Sequence, residues 1–342
     1  MEQPREPASS GLRILVLGGG GFIGRHAVAA LLAQGASVAI GSRHPSRLGG
    51  RLPAEAQDCE RRRARFEDLL APEDWRQPLE EIDVVVNCVG ILRPRGRETY
   101  QRVHHLAPAA LAEACRRRGL RLVHVSALGL QAPMRSGFLR SKADGEAALR
   151  SSGANCCIVR PSLLDAEHDG YGAAWIRRVA RWPVHALPAD AAGLIAPLDV
   201  RDLGEALARL AHTPDLARSG RPLELELGGG EAMPLAAYLA ALRRLHSDRP
   251  ARVIPVPGWL ARLASHACDL VHATPFSFGH WELLRRDNRP AHNALPGLLG
   301  RAPRVVGGGA AAPDGLPVPA PVAAAVAVHV PVLAVQAQPQ RA

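Results

Sequence analysis

Lysine is almost missing from this chain of 342 residues: of its 42 basic residues one is lysine, Lys142, and the rest are arginine. Aromatic residues are scarce as well, at 4%. A formal net charge of +10 invites a nucleic-acid partner, but that needs cations gathered on one face and rings to stack on bases. The arginines are instead spread along the whole chain, and even the densest run, Arg61-Arg62-Arg63-Ala64-Arg65, reads as a solvated segment. No nucleic-acid partner is expected, while a loose attraction to anionic lipid stays open. The six cysteines, Cys59, Cys88, Cys115, Cys156, Cys157 and Cys268, contain no C-x-x-C pair, which excludes the framework of a small secreted domain and points to reduced thiols. The first residues lack the basic-then-apolar order of a signal peptide, so a cytoplasmic location is expected, with peripheral attachment to the inner face of the membrane as the alternative. No internal repeat is present.

What is present is alternation. Hydrophobic residues make up 47% of the chain against 22% charged, which excludes a wholly disordered protein. Short apolar runs at 12–17, 37–41, 63–67, 82–87, 120–126 and 155–160 read as strands, with helices at 22–34, 45–56, 72–79, 99–118 and 138–152 between them. This is the pattern of a doubly wound parallel α/β sheet, whose ligand site lies at the carboxyl ends of the strands. After Pro161 the alternation loosens into helices at 171–182, 201–212, 234–247 and 257–273 with strands at 222–227 and 252–256. The expected organisation is a disordered N-terminal extension at 1–11, a dinucleotide-binding domain at 12–165, a smaller substrate or partner lobe at 166–305 that returns elements to the sheet, and a tail at 306–342. Residues 315–340 of that tail carry no charged side chain and are long enough to cross a bilayer. Pro317, Pro319, Pro321, Pro331 and Pro339 argue against a continuous helix, so a low-complexity tail is expected, with membrane association as the alternative.

Residues 18–24, Gly18-Gly19-Gly20-Gly21-Phe22-Ile23-Gly24, follow an apolar strand and open an amphipathic helix. Gly18, Gly21 and Gly24 allow a tight turn, close approach of backbone N–H groups to a pyrophosphate, and close packing of helix on strand. A carboxylate at the end of the second strand would select NAD(H) through the ribose hydroxyl, but this strand ends in Gly41-Ser42-Arg43. A guanidinium there suits a 2′-phosphate, so NADP(H) is favoured and NAD(H) remains the alternative.

Further segments narrow the reading: Glu67-Asp68-Leu69, Asn87-Cys88-Val89-Gly90, His124-Val125-Ser126-Ala127-Leu128-Gly129, Arg140-Ser141-Lys142-Ala143-Asp144-Gly145-Glu146, Arg160-Pro161-Ser162 and residues 197–202. With the glycine loop they resemble the extended short-chain dehydrogenase/reductases of the epimerase/dehydratase type. Within these the chain is similar to the atypical branch that includes the Rossmann-fold accessory subunit of respiratory complex I and its bacterial relatives. The resemblance spans about residues 12–300 and is specific through 205. It implies that Asp68 and Leu69 meet the adenine, that Asn87, Val89 and Gly90 line the cofactor channel, that Arg160, Pro161 and Ser162 border the nicotinamide, and that Lys142 holds its ribose.

In active members of the superfamily a tyrosine four residues before that lysine delivers the proton, aided by a hydroxyl and an asparagine. Here the spacing reads Phe138-Leu139-Arg140-Ser141-Lys142, and a phenyl ring has no ionisable O–H. The active hydroxyl falls near Leu128 rather than on Ser126, and the asparagine position is His104. Two readings follow. The protein binds NADP(H) without ordinary turnover, as a nucleotide-stabilised factor in a membrane-associated respiratory or quinone-related assembly. Alternatively it is a non-standard reductase, epimerase or isomerase with another acid, drawn from His104, Ser126, Tyr171 or Asp199. His266, Cys268, His272 and His280 match no familiar metal spacing and read as parts of packed helix. Trp259, Leu260, Leu263, Leu270 and Val271 read as core or an interface stripe, although a lipid-facing groove would need similar residues.

Overall fold

The computed structural model describes residues 11–307 except 131, 132, 168, 219, 272 and 273. The expected extension at 1–11 and tail at 306–342 therefore lie almost wholly outside the described residues. In chain order the strands are β1 (Arg13–Leu17), β2 (Ser37–Ser42), β3 (Glu60–Arg63), β4 (Val84–Asn87), β5 (Arg121–Val125), β6 (Cys156–Pro161), β7 (Leu164–Asp165), β8 (Val184–Pro188), β9 (Leu194–Ile195), β10 (Leu198–Asp199), β11 (Ala217–Arg218), β12 (Arg221–Leu227), β13 (Met233–Pro234) and β14 (Arg252–Val256). The helices are α1 (Phe22–Ala33), α2 (Ala107–Arg118), α3 (Gly137–Ser151), α4 (Tyr171–Ala180), α5 (Val200–His212), α6 (Leu235–Arg244), α7 (Gly258–Val271), α8 (Phe278–Leu284) and α9 (Leu295–Leu299).

Seven parallel strands run in the order β12-β6-β5-β4-β1-β2-β3, and β11 adds antiparallel to β12 at one edge. Six strands were expected in the first half; the seventh, β12, comes from the second half of the chain. Strands buried on both faces need apolar residues at every position, and β1 shows why. Its Ile14 and Val16 enter the core shared with α1 and α5, while Leu15 and Leu17 enter the opposite core beneath α2. Strand order reverses between β4 and β2 on either side of β1, and the crevice at that switch point opens above the glycine loop.

Several expected elements differ. Residues 45–56 form three short 3₁₀ turns rather than one helix, because Pro45, Gly49-Gly50 and Pro53 interrupt any longer run of amide donors and helical backbone. Residues 72–79 shrink to the single turn Pro72–Trp75. The third strand lies at Glu60–Arg63, earlier than 63–67. The helix expected at 99–118 begins as a π-helical turn, Gln101–Leu106, before α2. Pro108 withholds the amide that would close an α-turn on the His104 carbonyl. That carbonyl meets α3 instead, at Gly145, where a Cβ would overlap the oxygen.

The later elements form three small two-stranded pairings, β7 with β10, β9 with β13, and β8 with β14. A separate cluster around Ala180, Tyr238, Leu239 and Leu242 joins α4 to α6. Helix α5 packs closely on α1 at Gly204, against the His26 carbonyl. No helix among the described residues is long and apolar enough to cross a membrane.

The tight crossing of α3 on the π-turn gives a paired test. Gly145→Ala should lower the unfolding free energy by about 2–3 kcal/mol, because backbone rather than a yielding side chain blocks the methyl group. Gly172→Ala, in an open position of α4, should raise it by about 0.5–1 kcal/mol. Urea denaturation of both variants checks this, and equal effects would contradict the crossing.

Candidate functional site

The crevice begins at the glycine loop. Gly18 has a left-handed backbone (φ 74°), its N–H donates to the Gly41 carbonyl at 2.9 Å, and its own carbonyl accepts from Gly21 N–H at 2.8 Å. A Cβ on Gly24 would overlap the Gly18 carbonyl, and one on Gly19 would press on Ile40 at 2.9 Å, so the turn is held by absent side chains. A Cβ on Gly20 would run into Leu48. Gly21 caps α1 without a side-chain hydrogen bond, and no acidic residue follows in the first turn. Free amides at a positive helix end with no competing carboxylate fit a pyrophosphate. Ile23 packs on the core beneath β1, while Phe22 lies against Gly170. The segment bearing Gly170 is tied down by Asp169, which pairs with Arg25 and lies 3.2 Å from His26 Nε2.

At the adenosine end, Ser42 closes β2 and its Oγ accepts from His44 N–H at 3.3 Å. Arg43 is 53% exposed and paired with Glu98. Asp68 sits in a turn, not at a helix start, and pairs with Arg97 at 2.8 Å. Leu69 packs on the core under α2.

Toward the sheet centre most polar groups are committed to one another. Asn87 is fully buried; its Nδ2 donates to His124 Nδ1 at 3.0 Å and its Oδ1 accepts from Val89 N–H at 3.0 Å. Burial and the Lys142 charge bring His124 down to about 4. His104 Nε2 accepts from Ile91 N–H at 3.0 Å, which puts its proton on Nδ1, 3.0 Å from Ser141 Oγ. Ser141 in turn donates to the Phe138 carbonyl. Burial first, then Lys142, holds His104 well below its ordinary value, so it is a neutral brace and no longer a candidate acid. Tyr100 stacks on His104 and donates to the Leu92 carbonyl at 2.8 Å; burial pushes its phenol up to about 12.

Lys142 lies in the middle of this group. A Cβ built on Gly90 would come within 3.9 Å of its Nζ and 3.8 Å of His104 Nε2, so Gly90 leaves room beside the ammonium. Nζ stands over the Phe138 ring at 5.8 Å and makes no hydrogen bond to a described residue. Parts of the lysine chain reach the surface, but the ammonium is densely surrounded, and burial lowers its pKa to about 8 against the opposing pull of Glu146. Phe138 is boxed by Tyr100, His104 and His280, with ring centroids 6.0, 5.5 and 6.3 Å away.

The side chains of Arg160 and Ser162, expected beside the nicotinamide, bond to other parts of the chain. Arg160 binds Glu146 with two hydrogen bonds, 2.8 and 2.6 Å, and also pairs with Glu224. Pro161 ends β6 opposite Leu227. Ser162 donates to the Asn288 carbonyl and accepts from Ala196 N–H, joining the sheet to the second lobe. Ser126 Oγ is buried without good hydrogen-bond geometry to any neighbour, although it lies near enough to Glu146 to help lower that carboxylate. Asp199 caps α5 and binds Arg201, and Tyr171 is largely exposed at the start of α4. No cluster of metal-ligating residues occurs among the described residues; His266 stacks on Phe278, and His272 lies outside them. A cavity of about 860 Å³ lies away from the glycine loop, lined by α7, α8 and residues 133–135.

His124, Ser141 and Glu146 were missed in the sequence. Glu146 alone had a local signal, one helical turn after Lys142.

Lowering the lysine pKa from 10.5 to about 8 means that the unfolded chain holds the proton more tightly. The penalty is full below pH 8 and fades as pH rises toward 10.5. Lys142→Met should therefore stabilise the protein by about 1–3 kcal/mol at pH 7, with the gain vanishing near pH 10. Denaturant titrations across that range check the sign; a pH-independent difference would contradict the burial of the charge.

Residues 18–177 match a family model described as NAD(P)H-binding. A ceramide reductase of Caulobacter vibrioides is 30% identical over 206 residues, 59% of this chain and 62% of that protein. The mitochondrial NADH dehydrogenase [ubiquinone] 1 alpha subcomplex subunit 9 of Dictyostelium discoideum is 26% identical over 207 residues, 60% of this chain and 57% of that one. The chain thus spans less than two thirds of the length of either relative. Among solved structures a UDP-galactose 4-epimerase superposes with a TM-score of 0.59 at 19% identity, covering 86% of this chain and 95% of the other. The NAD complex of the Thermus thermophilus UDP-glucose 4-epimerase gives 0.55 at 21% identity, covering 72% and 86%. Residues 18–177 thus match an NAD(P)H-binding family model, and the chain shares its Rossmann-type fold with these two epimerases.

Proposed function

We propose that this protein holds NADP(H) without ordinary dehydrogenase turnover, as a nucleotide-stabilised factor of a membrane-associated respiratory or quinone-related assembly. The observation that carries this reading is the pairing of Lys142 with Phe138. An ammonium without a hydrogen-bond partner suits a ribose oxygen, while the ring four residues earlier offers no proton. The neighbouring groups do not replace it, since His104 and His124 are held neutral and Tyr100 is bound to a backbone carbonyl.

The amides of residues 18–24 would hold the pyrophosphate, Arg43 the 2′-phosphate, and Lys142 the nicotinamide ribose. When bound, the dinucleotide supplies a hydride acceptor or donor. Glu98 already engages Arg43, so a 2′-phosphate must displace a carboxylate to reach the guanidinium. The resemblance to the complex I subunit supports the assembly, and the absence of a spanning helix among the described residues suits peripheral attachment. The second reading, a non-standard reductase, is favoured by the similarity to a protein named ceramide reductase. Of the acids considered for it, His104 and Asp199 are engaged, which leaves Ser126 and Tyr171.

Fluorescence titration should show NADPH binding at least about tenfold more tightly than NADH. Arg43→Ala should remove that difference, and Glu98→Gln should widen it by freeing the guanidinium. Tighter NADH binding would reject the role of Arg43, and failure to bind either would reject the reading. Wild type should oxidise NADPH negligibly with a panel of carbonyls, quinones and long-chain ketones. Robust wild-type turnover would favour the reductase reading instead.

A further inference from the structure

Helix α7 is inside out. Its buried positions are the small residues Ala261 and Ser265, while Trp259, Leu263, Leu270 and Val271 are 71, 61, 84 and 73% exposed. A helix that owed its place to core packing would show the reverse. The spacing of Trp259, Leu263 and Leu270 puts them on one side, and Leu260 and Val271 widen the stripe. The apolar surface continues onto the β8–β14 ribbon, whose register sets exposed Ile254 beside Ala186 and exposed Val184 beside Arg252. Nine of the thirteen large apolar side chains exposed among the described residues fall within 178–188 and 249–271, two stretches that the pairing of β8 with β14 brings side by side.

Charge decides what covers it. These two stretches carry five arginines, Arg178, Arg181, Arg249, Arg252 and Arg262, against one carboxylate within them, with Asp190 and Asp248 just beyond their ends and Asp190 paired with Arg285. The carboxylate within them, Asp269, is bound by Arg93 and by the Phe278 amide. Arg252 and Arg262 have no carboxylate partner among the described residues. A second copy of the chain laid face to face would set these cations against one another, whereas a surface that is both apolar and negatively charged satisfies both components. We infer that α7 and the edge of the β8–β14 ribbon form a docking surface for an anionic phospholipid bilayer, with Trp259, Leu263 and Leu270 entering the acyl boundary and Arg252 and Arg262 at the phosphates. The helix lies in the plane of the interface and does not span it. This deepens the membrane side of the proposed function, yet it is measured without NADPH or a protein partner, so either can fail alone.

The test is co-sedimentation of the full chain with vesicles of phosphatidylcholine, alone or mixed equally with phosphatidylglycerol. Binding should be at least about tenfold stronger to the mixed vesicles and should weaken as salt is raised. Leu263→Glu with Leu270→Glu should reduce it by about tenfold or more, with NADPH affinity and circular dichroism unchanged. Independently of that variant's folding, brominated lipid should quench wild-type tryptophan fluorescence, and Trp259→Phe combined with Trp182→Phe should remove most of the quenching. The inference is overturned if neither vesicle binds, or if the double variant binds like wild type, which would move the contact to another segment such as the uncharged tail. It is also overturned if light scattering shows a dimer that the variant dissolves, which would assign the face to a second copy.

Discussion

The buried pair between Arg160 and Glu146 sets the position of everything chemical in this protein. Taking two charges out of water is repaid only by good geometry and further hydrogen bonds, and both are present. The guanidinium meets the carboxylate with two bonds, and Arg150 and Glu224 complete the group at the edge of β12. Burial alone would raise Glu146, but Arg160 together with Ser126 and Arg150 more than offsets it and the carboxylate stays charged. That fastens α3 to β6 and β12, and α3 carries Phe138, Ser141 and Lys142. It also decides the state of the lysine. With Glu146 committed to a guanidinium, the ammonium one turn earlier gains its charge without its hydrogen bonds, and burial carries its pKa to about 8.

The groups around that ammonium form a closed account of protons. His104 receives a backbone N–H and gives its own proton to Ser141, which gives one to the Phe138 carbonyl. Asn87 donates to His124 and accepts from the Val89 N–H. Each bond fixes a tautomer and a rotamer, so the crevice is shaped by polar groups that present little polarity to a ligand. A hydride carrier could be oriented well here, because orientation needs only shape and one cation. Proton delivery needs a group that gains and loses a proton near neutrality; burial holds His104 and His124 below that range, and Phe138 has no proton to give.

The sequence was most legible where function is local. The glycine loop, the end of β4 and the lysine follow from spacing along one or two elements, and Gly18 and Lys142 both come close to residues 88–90 at the end of β4. The 3₁₀ turns at 45–56 show a different weakness, since hydrophobic spacing outvoted prolines and glycines that remove helical backbone. Arg160 and Ser162 could not be read at all. Arg-Pro-Ser at a strand end resembles a ligand contact, but whether it faces the crevice depends on partners 14 and 126 residues away. Arg43 is intermediate. Its place is local, but the carboxylate that competes for it arrives from residue 98.

The same dependence on partners divides the arginines. Several inside the fold are fork-shaped clamps on carboxylates, as at Arg177 on Asp165 or Arg160 on Glu146, where a planar guanidinium makes two bonds at once. A clamp of that kind keeps its charge at any physiological pH. Those on the α7 surface have no such partner and stand beside exposed leucine and tryptophan, where a clamp would have nothing to hold within the chain. Lys142 belongs to neither set. Its site holds a cation whose charge burial can weaken, whereas an arginine there would remain fully charged. The scarcity of lysine thus singles out the one interior position where the chemistry of an ammonium, rather than positive charge alone, is needed.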